Sequence, residues 1–404
     1  MSDEKRVTRK YAERQAVLVS AAIRLINRRG VVGMTLADVA ADLGIAPKAV
    51  AYYFKRKEDL ASACYLRGLE RLESFITQAR AEPAGPERVR GLLEVYFDFK
   101  RRALAGEVEE LTSPNDIRAL NAAPVNEAYA GFYRSLRALL DFPQDAPRAT
   151  ANARAHLLIA QLHWTSAWLR NIYGEDYART GARICDIILG GMASPGQPWN
   201  PRRIPALSLQ TGWTREGADE RFLTAATALI NEQGYNGASV DRISAKLNLT
   251  KGAFYHHIDN KDELVIACFD RTFGILRRAI TQAEAIATTG LERLQTLALA
   301  LVGQQISGEG VLLRLSAVTT LPEALQPPML DEFDRIGLRI AALISDGIAD
   351  GSIRPLDAYL AAQVFIAMVN MSDELGFFVR DLNPELAIRE YIRPCLEGLF
   401  SGQA

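Results

Sequence analysis

Two short stretches carry side chains of the kind that meets nucleic acid. Lys48, Tyr52 and Tyr53 stand in PKAVAYYF (47–54), and Lys251, Tyr255, His256 and His257 stand in KGAFYHHI (251–258). A lysine ammonium is a counter-charge for phosphate or a donor to a guanine edge, and Tyr or His side chains hydrogen-bond phosphate or pack on thymine methyls. Thr35 and Ser239 precede these stretches, and Lys57 and Lys261 follow them. The two belong to one repeat. TLADVAADLGIAPKAVAYYFKRKEDL (35–60) recurs as SVDRISAKLNLTKGAFYHHIDNKDEL (239–264), at an offset of 204 residues that holds without a gap from Ala21/Ala225 to Leu60/Leu264. A repeat of this kind sets the reading of the whole chain.

The elements that must position these residues are helices. Leu36, Val39, Ala40 and Leu43 fall at helical spacing, as do Val240, Ile243, Ser244 and Leu247. Each run breaks at a tight turn, Gly44-Ile45-Ala46 or Asn248-Leu249-Thr250, before a second short helix. Two short helices joined this way form a helix-turn-helix, whose second helix fits the major groove of DNA. Thr35 sits where an N-cap belongs, with Asp38 three residues on to complete a capping box. Pro47 suits the first turn of the second helix, where its missing N–H costs nothing. Ahead of the motif, Glu13–Arg29 reads as a helix closed by Gly30.

The order of these features, ending in Lys57-Glu58-Asp59-Leu60 and Lys261-Asp262-Glu263-Leu264, resembles the TetR family of bacterial transcription regulators. The resemblance is specific over about 45 residues in each half and implies two TetR-type units fused head to tail. It implies that Thr35, Lys48, Tyr52, Tyr53 and Lys57 in the first copy bind DNA. In the second copy it points to Ser239, Thr250, Lys251, Tyr255, His256, His257 and Lys261. The first copy departs from the pattern with Ala46 in place of the usual Ser or Thr, and with Ala51 opposite Tyr255. The family fold implies a helical ligand-binding and dimerisation domain after each DNA-binding domain. The expected mechanism is that of a repressor released by a small apolar or amphipathic effector. Family members pair through their last two helices. Both partners stand here in one chain, so an intramolecular pseudo-dimer on an asymmetric double-stranded DNA operator is expected, with further self-association open. An interaction or scaffold protein that keeps the fold but has lost DNA binding in one half or both is the alternative.

Length and composition agree. The chain has 404 residues, 49% hydrophobic and 24% charged, the mix of a soluble globular protein. No segment has the apolar length of a membrane span, and the N-terminus MSDEKRVTRKYAERQ is no secretion signal, so the cytoplasm is the expected compartment. Cys64 and Cys268 occupy the same repeat position and read as buried, reduced packing residues. Net charge is −1, but residues 1–60 hold 12 Lys/Arg against 7 Asp/Glu, a net +5, whereas residues 215–264 hold 6 against 8, a net −2.

An all-α chain is expected, since no stretch shows sustained strand alternation. The divisions are a DNA-binding domain at 1–60, a helical domain at 61–192, a Pro-rich linker at 193–217, a second DNA-binding domain at 218–264 and a second helical domain at 265–404. Helices are predicted at Lys57–Arg80, Glu87–Ala105, after Pro114, Val125–Leu140, Ala149–Ile172 and Glu175–Met192. In the second unit they are predicted at Arg221–Gln233, Lys261–Ile286, Leu291–Ile306, Val311–Val318, Met329–Ala349, Leu356–Phe378 and Pro384–Phe400. Trp199 and Trp213 suggest that parts of the linker are pinned to a surface. His156, His163 and Trp164 in the first unit, with Phe365 and Met368 in the second, are either the wall of a ligand pocket or ordinary core. His256-His257 is half a metal site at most, lacking a third ligand at suitable spacing. No cofactor, no metal and no catalytic constellation is expected.

Overall fold

The computed structural model describes residues 3–112, 122–143, 145–205, 220–237, 260–308 and 310–402, together with Leu120, Arg242, Ile243 and Ala245. The expected helix after Pro114, Trp213, and the second copy's residues Ser239, Thr250, Lys251, Tyr255, His256 and His257 lie outside them. Among the described residues the regular elements are all helices, with one isolated bridge between Ala193 and Ile353.

The first unit comprises α1 (Asp3–Gly33), α2 (Leu36–Asp42), α3 (Pro47–Tyr53), α4 (Lys57–Ala79), α5 (Pro86–Leu104), α6 (Ala123–Leu139), α7 (Arg148–Trp168) and α8 (Tyr177–Gly190). Helix α1 begins at Asp3 rather than Glu13. Residues 3–12 contain no Gly or Pro, and Asp3 and Glu4 suit the positive end of a helix. Gly30 breaks it as expected, with φ 66° and ψ 172°.

In the second unit, α9 (Glu220–Gly237), α10 (Lys261–Ile286), α11 (Gly290–Ser307), α12 (Gln326–Ala349) and α13 (Ala358–Met371) repeat the plan. Where residues of both copies are described, their packing corresponds. The Cys64 thiol points at the Val19 carbonyl (3.7 Å) and Cys268 at Leu223 (3.8 Å), both buried, and Val39 and Ile243 are both fully buried. Burial pushes the Cys64 thiol up to about 12 and Cys268 to about 11, as inert packing thiols require.

Three expected helices are corrected. Val311–Val318 is not helical from its start. The backbone N–H groups of Leu312, Leu313, Arg314 and Leu315 bond the side chains of Gln305, Thr272, Asn231 and Asn370, so the chain stays extended until a 3-10 turn at Leu315–Thr320. Helix α13 is capped by Asp357 and stops at Met371. A 3-10 turn, Ser372–Glu374, separates it from α14 (Leu375–Phe378). The last helix is α15 (Pro384–Ala387), widened to a π turn at Ile388–Ile392 and completed by α16 (Arg393–Glu397); Pro394 lacks the N–H that would close the ordinary ladder there.

Helix α7 packs on α13 and on the π turn, and α8 packs on α13. Polar contacts knit this seam across the units. Arg154 donates to the carbonyls of Leu399 (2.8 Å) and Ser401 (3.1 Å), and the Trp164 indole donates to Gln363 Oε1 (2.9 Å). The Leu399 N–H donates to the Ile188 carbonyl (2.8 Å), and the Met192 N–H to that of Leu396 (2.7 Å). Gly191, at φ 71°, lies where a Cβ would come within 2.4 Å of the Glu397 backbone. The linker's first half is pinned as expected. Trp199 packs against the core, the Asn200 N–H donates to Gln295, and the Arg202 N–H donates to Thr296.

Candidate nucleic-acid interface and effector cavity

The first helix-turn-helix is assembled from local signals. Thr35 caps α2: its Oγ1 accepts from the Asp38 N–H at 3.1 Å, and the Asp38 carboxylate accepts from the Thr35 N–H at 3.0 Å. This hydroxyl is committed to the cap. Gly44 turns the chain at φ 64°, a conformation that costs other residues, and the Ile45 N–H closes onto the Ala40 carbonyl at 2.9 Å. Helix α3 opens on Pro47, with no side-chain bond from Ala46, and is anchored by Val50 and Phe54, both buried.

That anchoring leaves Lys48 exposed and Tyr52 66% exposed. Tyr53 is half-buried against Tyr11 of α1, with ring centroids 4.7 Å apart, and Tyr52 completes the cluster 5.1 Å from Tyr53. Tyr11 was not legible as a partner, because the position 204 residues on holds Arg215 and the repeat gives no signal there. The contact brings the start of α1, with exposed Arg9, Lys10 and Arg14, beside α3. Lys57 opens α4, half-buried. Just before it, the exposed Arg56 guanidinium lies 2.9 Å from Asp59, whose carboxyl it holds below the usual range. In the second copy, Lys261 opens α10 behind the N-cap Asn260, and burial lowers its pKa against the opposing pull of Asp262.

A cavity of about 370 Å³ lies inside the first unit, within the ~300–1,000 Å³ typical of small-molecule sites. Leu69, Leu72, Phe132, Ile159 and Leu162 supply apolar wall; Tyr65, Tyr129, His163 and Lys100 supply polar groups. Leu315, Val318, Gln326 and Leu330 close it from the second unit. Of the residues singled out by sequence, His163 lines this cavity. His156 does not: it is fully buried between Phe378 (5.2 Å) and Tyr391 (5.5 Å) in the seam. Trp164 is also placed in the seam, by its bond to Gln363. Phe365 borders a gap of about 30 Å³ in the second unit, room for about one water, and Met368 is buried core.

Among the described residues, aromatic rings fill the equivalent place in the second unit. Tyr65 and Leu69 become Phe269 and Phe273 at the repeat positions, and Phe333 sits 4.9 Å from Phe273 and 6.1 Å from Phe269. Among the described residues no cluster of His, Cys, Asp and Glu could hold a metal ion, and no helix is long and apolar enough to cross a membrane.

The described residues thus place one helix-turn-helix on a pair of helical domains that share a seam. Bacterial regulatory proteins of the tetR family match the chain twice, over residues 18–64 and 222–268. The two matched stretches are a tandem of TetR-type DNA-binding sequences, 204 residues apart. It is 36% identical to the TetC protein of transposon Tn10 from Escherichia coli over 78 residues, 19% of this chain and 39% of TetC. It is 26% identical to the HTH-type transcriptional repressor DhaR of Mycobacterium sp. (strain GP1), over 33% of this chain and 69% of DhaR. It is 28% identical to the HTH-type transcriptional regulator BetI of Paraburkholderia xenovorans (strain LB400), over 44% of this chain and 93% of BetI. The chain thus spans well under half the length of TetC.

Proposed function

We propose that this chain is a cytoplasmic DNA-binding transcriptional repressor that acts as a pseudo-dimer within one polypeptide. Its DNA-binding domains are residues 1–60 and 218–264, its regulatory domains 61–192 and 265–404, with 193–217 as linker. The observation that carries the reading is the doubled helix-turn-helix match joined by a single intramolecular seam. DhaR is a repressor by name, which favours repression over activation. The first copy contacts DNA through Lys48, Tyr52, Tyr53 and Lys57, and the second through Lys251, Tyr255, His256, His257 and Lys261, with Thr35, Ser239 and Thr250 at helix entries. The effector sits in the first-unit cavity and selects a conformer whose two recognition helices no longer fit successive major grooves.

Unlike recognition helices prefer unlike half-sites, centred about 10 base pairs or a multiple apart. A gel-shift with DNA from upstream of its own gene, at stated salt, followed by footprinting, tests this. One asymmetric site occupied by one chain is expected. A perfect palindrome bound by two chains would overturn the pseudo-dimer, and no shift at low salt would favour a scaffold that has kept the fold alone. The net −2 of residues 215–264 favours a narrower second reading, in which only the first copy grips DNA.

A further inference from the structure

The first-unit cavity has a polarity that its apolar walls do not explain. Lys100, on α5, turns into it, and burial lowers the ammonium's pKa while Glu110 opposes the shift. Among the described residues no hydrogen bond or ion pair reaches that ammonium. The other charged groups on the wall are already engaged: Arg170 lies 2.7 Å from Asp334, and the exposed Glu110 accepts from Asn27 at 3.1 Å. The rings of Tyr65, Tyr96 and Tyr129 would attract a cation, but an ammonium inside the same space repels one. An anion meets a charge partner there and an apolar wall for its body.

The second unit offers no such pair of features. At Lys100's repeat position stands Gln304, whose amide donates to the Gly310 carbonyl at 2.9 Å, and the remaining gap is about 30 Å³. Resting on the reading of the cavity as the effector site, we propose that it takes one small organic monoanion per chain, a carboxylate on an apolar body. Lys100 is its counter-charge, and Leu315 and Val318 of the second unit are its closing wall. The segment that carries this wall, Leu315–Thr320, packs against both α1 and α9, the first helices of the two DNA-binding domains. An occupant that displaces it is felt by both.

Calorimetry on the full chain tests the proposal with octanoate and phenylacetate against octanol, 2-phenylethanol and octyltrimethylammonium. One equivalent of carboxylate should bind about tenfold tighter than the matching alcohol, the factor that ~1.4 kcal/mol represents. Lys100→Met should erase that preference, with Lys100→Gln as the check if the first variant folds poorly. Val318→Trp should block all the probes by filling the cavity from the second unit. Equal binding of alcohol and carboxylate by the wild type would overturn the proposal. So would two equivalents, a preference for the ammonium, or a preference that survives loss of Lys100. Gel-shifts run in parallel separate the two readings. Carboxylate binding that leaves DNA bound keeps this site and removes effector release, whereas release by uncharged ligands alone keeps effector release and removes this site.

Discussion

Lys48 and Lys57 are the exposed and half-exposed cations at the first recognition helix, and the basic start of α1 stands beside them through the Tyr11–Tyr53 contact. Each phosphate contact contributes about 0.9 to the slope of log affinity against log salt. Lys48→Ala with Lys57→Ala should therefore flatten that slope by about 2 and cut affinity several-fold, read by fluorescence anisotropy over a salt series. Lys251→Ala with Lys261→Ala should cost less affinity, since the surrounding net charge is already unfavourable, while relaxing preference in one half-site. The reverse ranking would mean that side-chain pattern outweighs local charge. Asp59→Asn is the complementary case. It frees Arg56 and removes an anion from the phosphate side, so affinity should rise and the slope steepen by up to about 1; an unchanged slope would show that Arg56 stays off the backbone.

At the scale of elements, the helix-turn-helix was legible because caps, turn and Pro47 act within a few residues of each other. The 311–320 segment was not. Its apolar spacing mimics a helix, and only side chains contributed by four other elements divert its backbone bonds. Arg314 holds the segment in place, with Nη2 2.6 Å from Asp373 and a short contact to Glu374, all nearly buried. Burial alone would lower the guanidinium's pKa, but the two carboxylates more than offset it and keep it above its ordinary value. Arg314→Met removes the cation that holds two buried carboxylates, and should cost about 3–5 kcal/mol in urea unfolding. A loss under 1 kcal/mol would mean that the carboxylates find water or another partner.

Across the whole molecule, the seam between α7, α8, α13 and the C-terminal helix makes the two units one body. The Leu399, Met192 and Arg154 contacts lie on it and do not depend on the linker. A protease site inserted within residues 206–217 and cut should therefore leave both halves co-eluting in size-exclusion chromatography. Gly191→Val, which forces a side chain into the Glu397 backbone, should separate the cut halves. Cut wild-type halves that part on dilution to micromolar would show that the tether, through effective concentration, holds the dimer rather than the seam.

By itself the sequence determined the helical class and the two-fold repetition, and it singled out the stretches proposed to face DNA. Helical spacing, capping and a gap-free offset are properties of residues near one another along the chain, or copied from one part of it to another. The tertiary structure alone decided which aromatic and histidine residues are seam, which are core and which face a cavity. It also decided that, among the described residues, the first unit keeps about 370 Å³ where the second keeps about 30 Å³. The filling of the second depends on Phe269, Phe273 and Phe333 meeting across two helices. The wall of the first comes from residues of the other unit. Such contacts join positions far apart in the chain, and packing at that range leaves no periodic mark in the sequence.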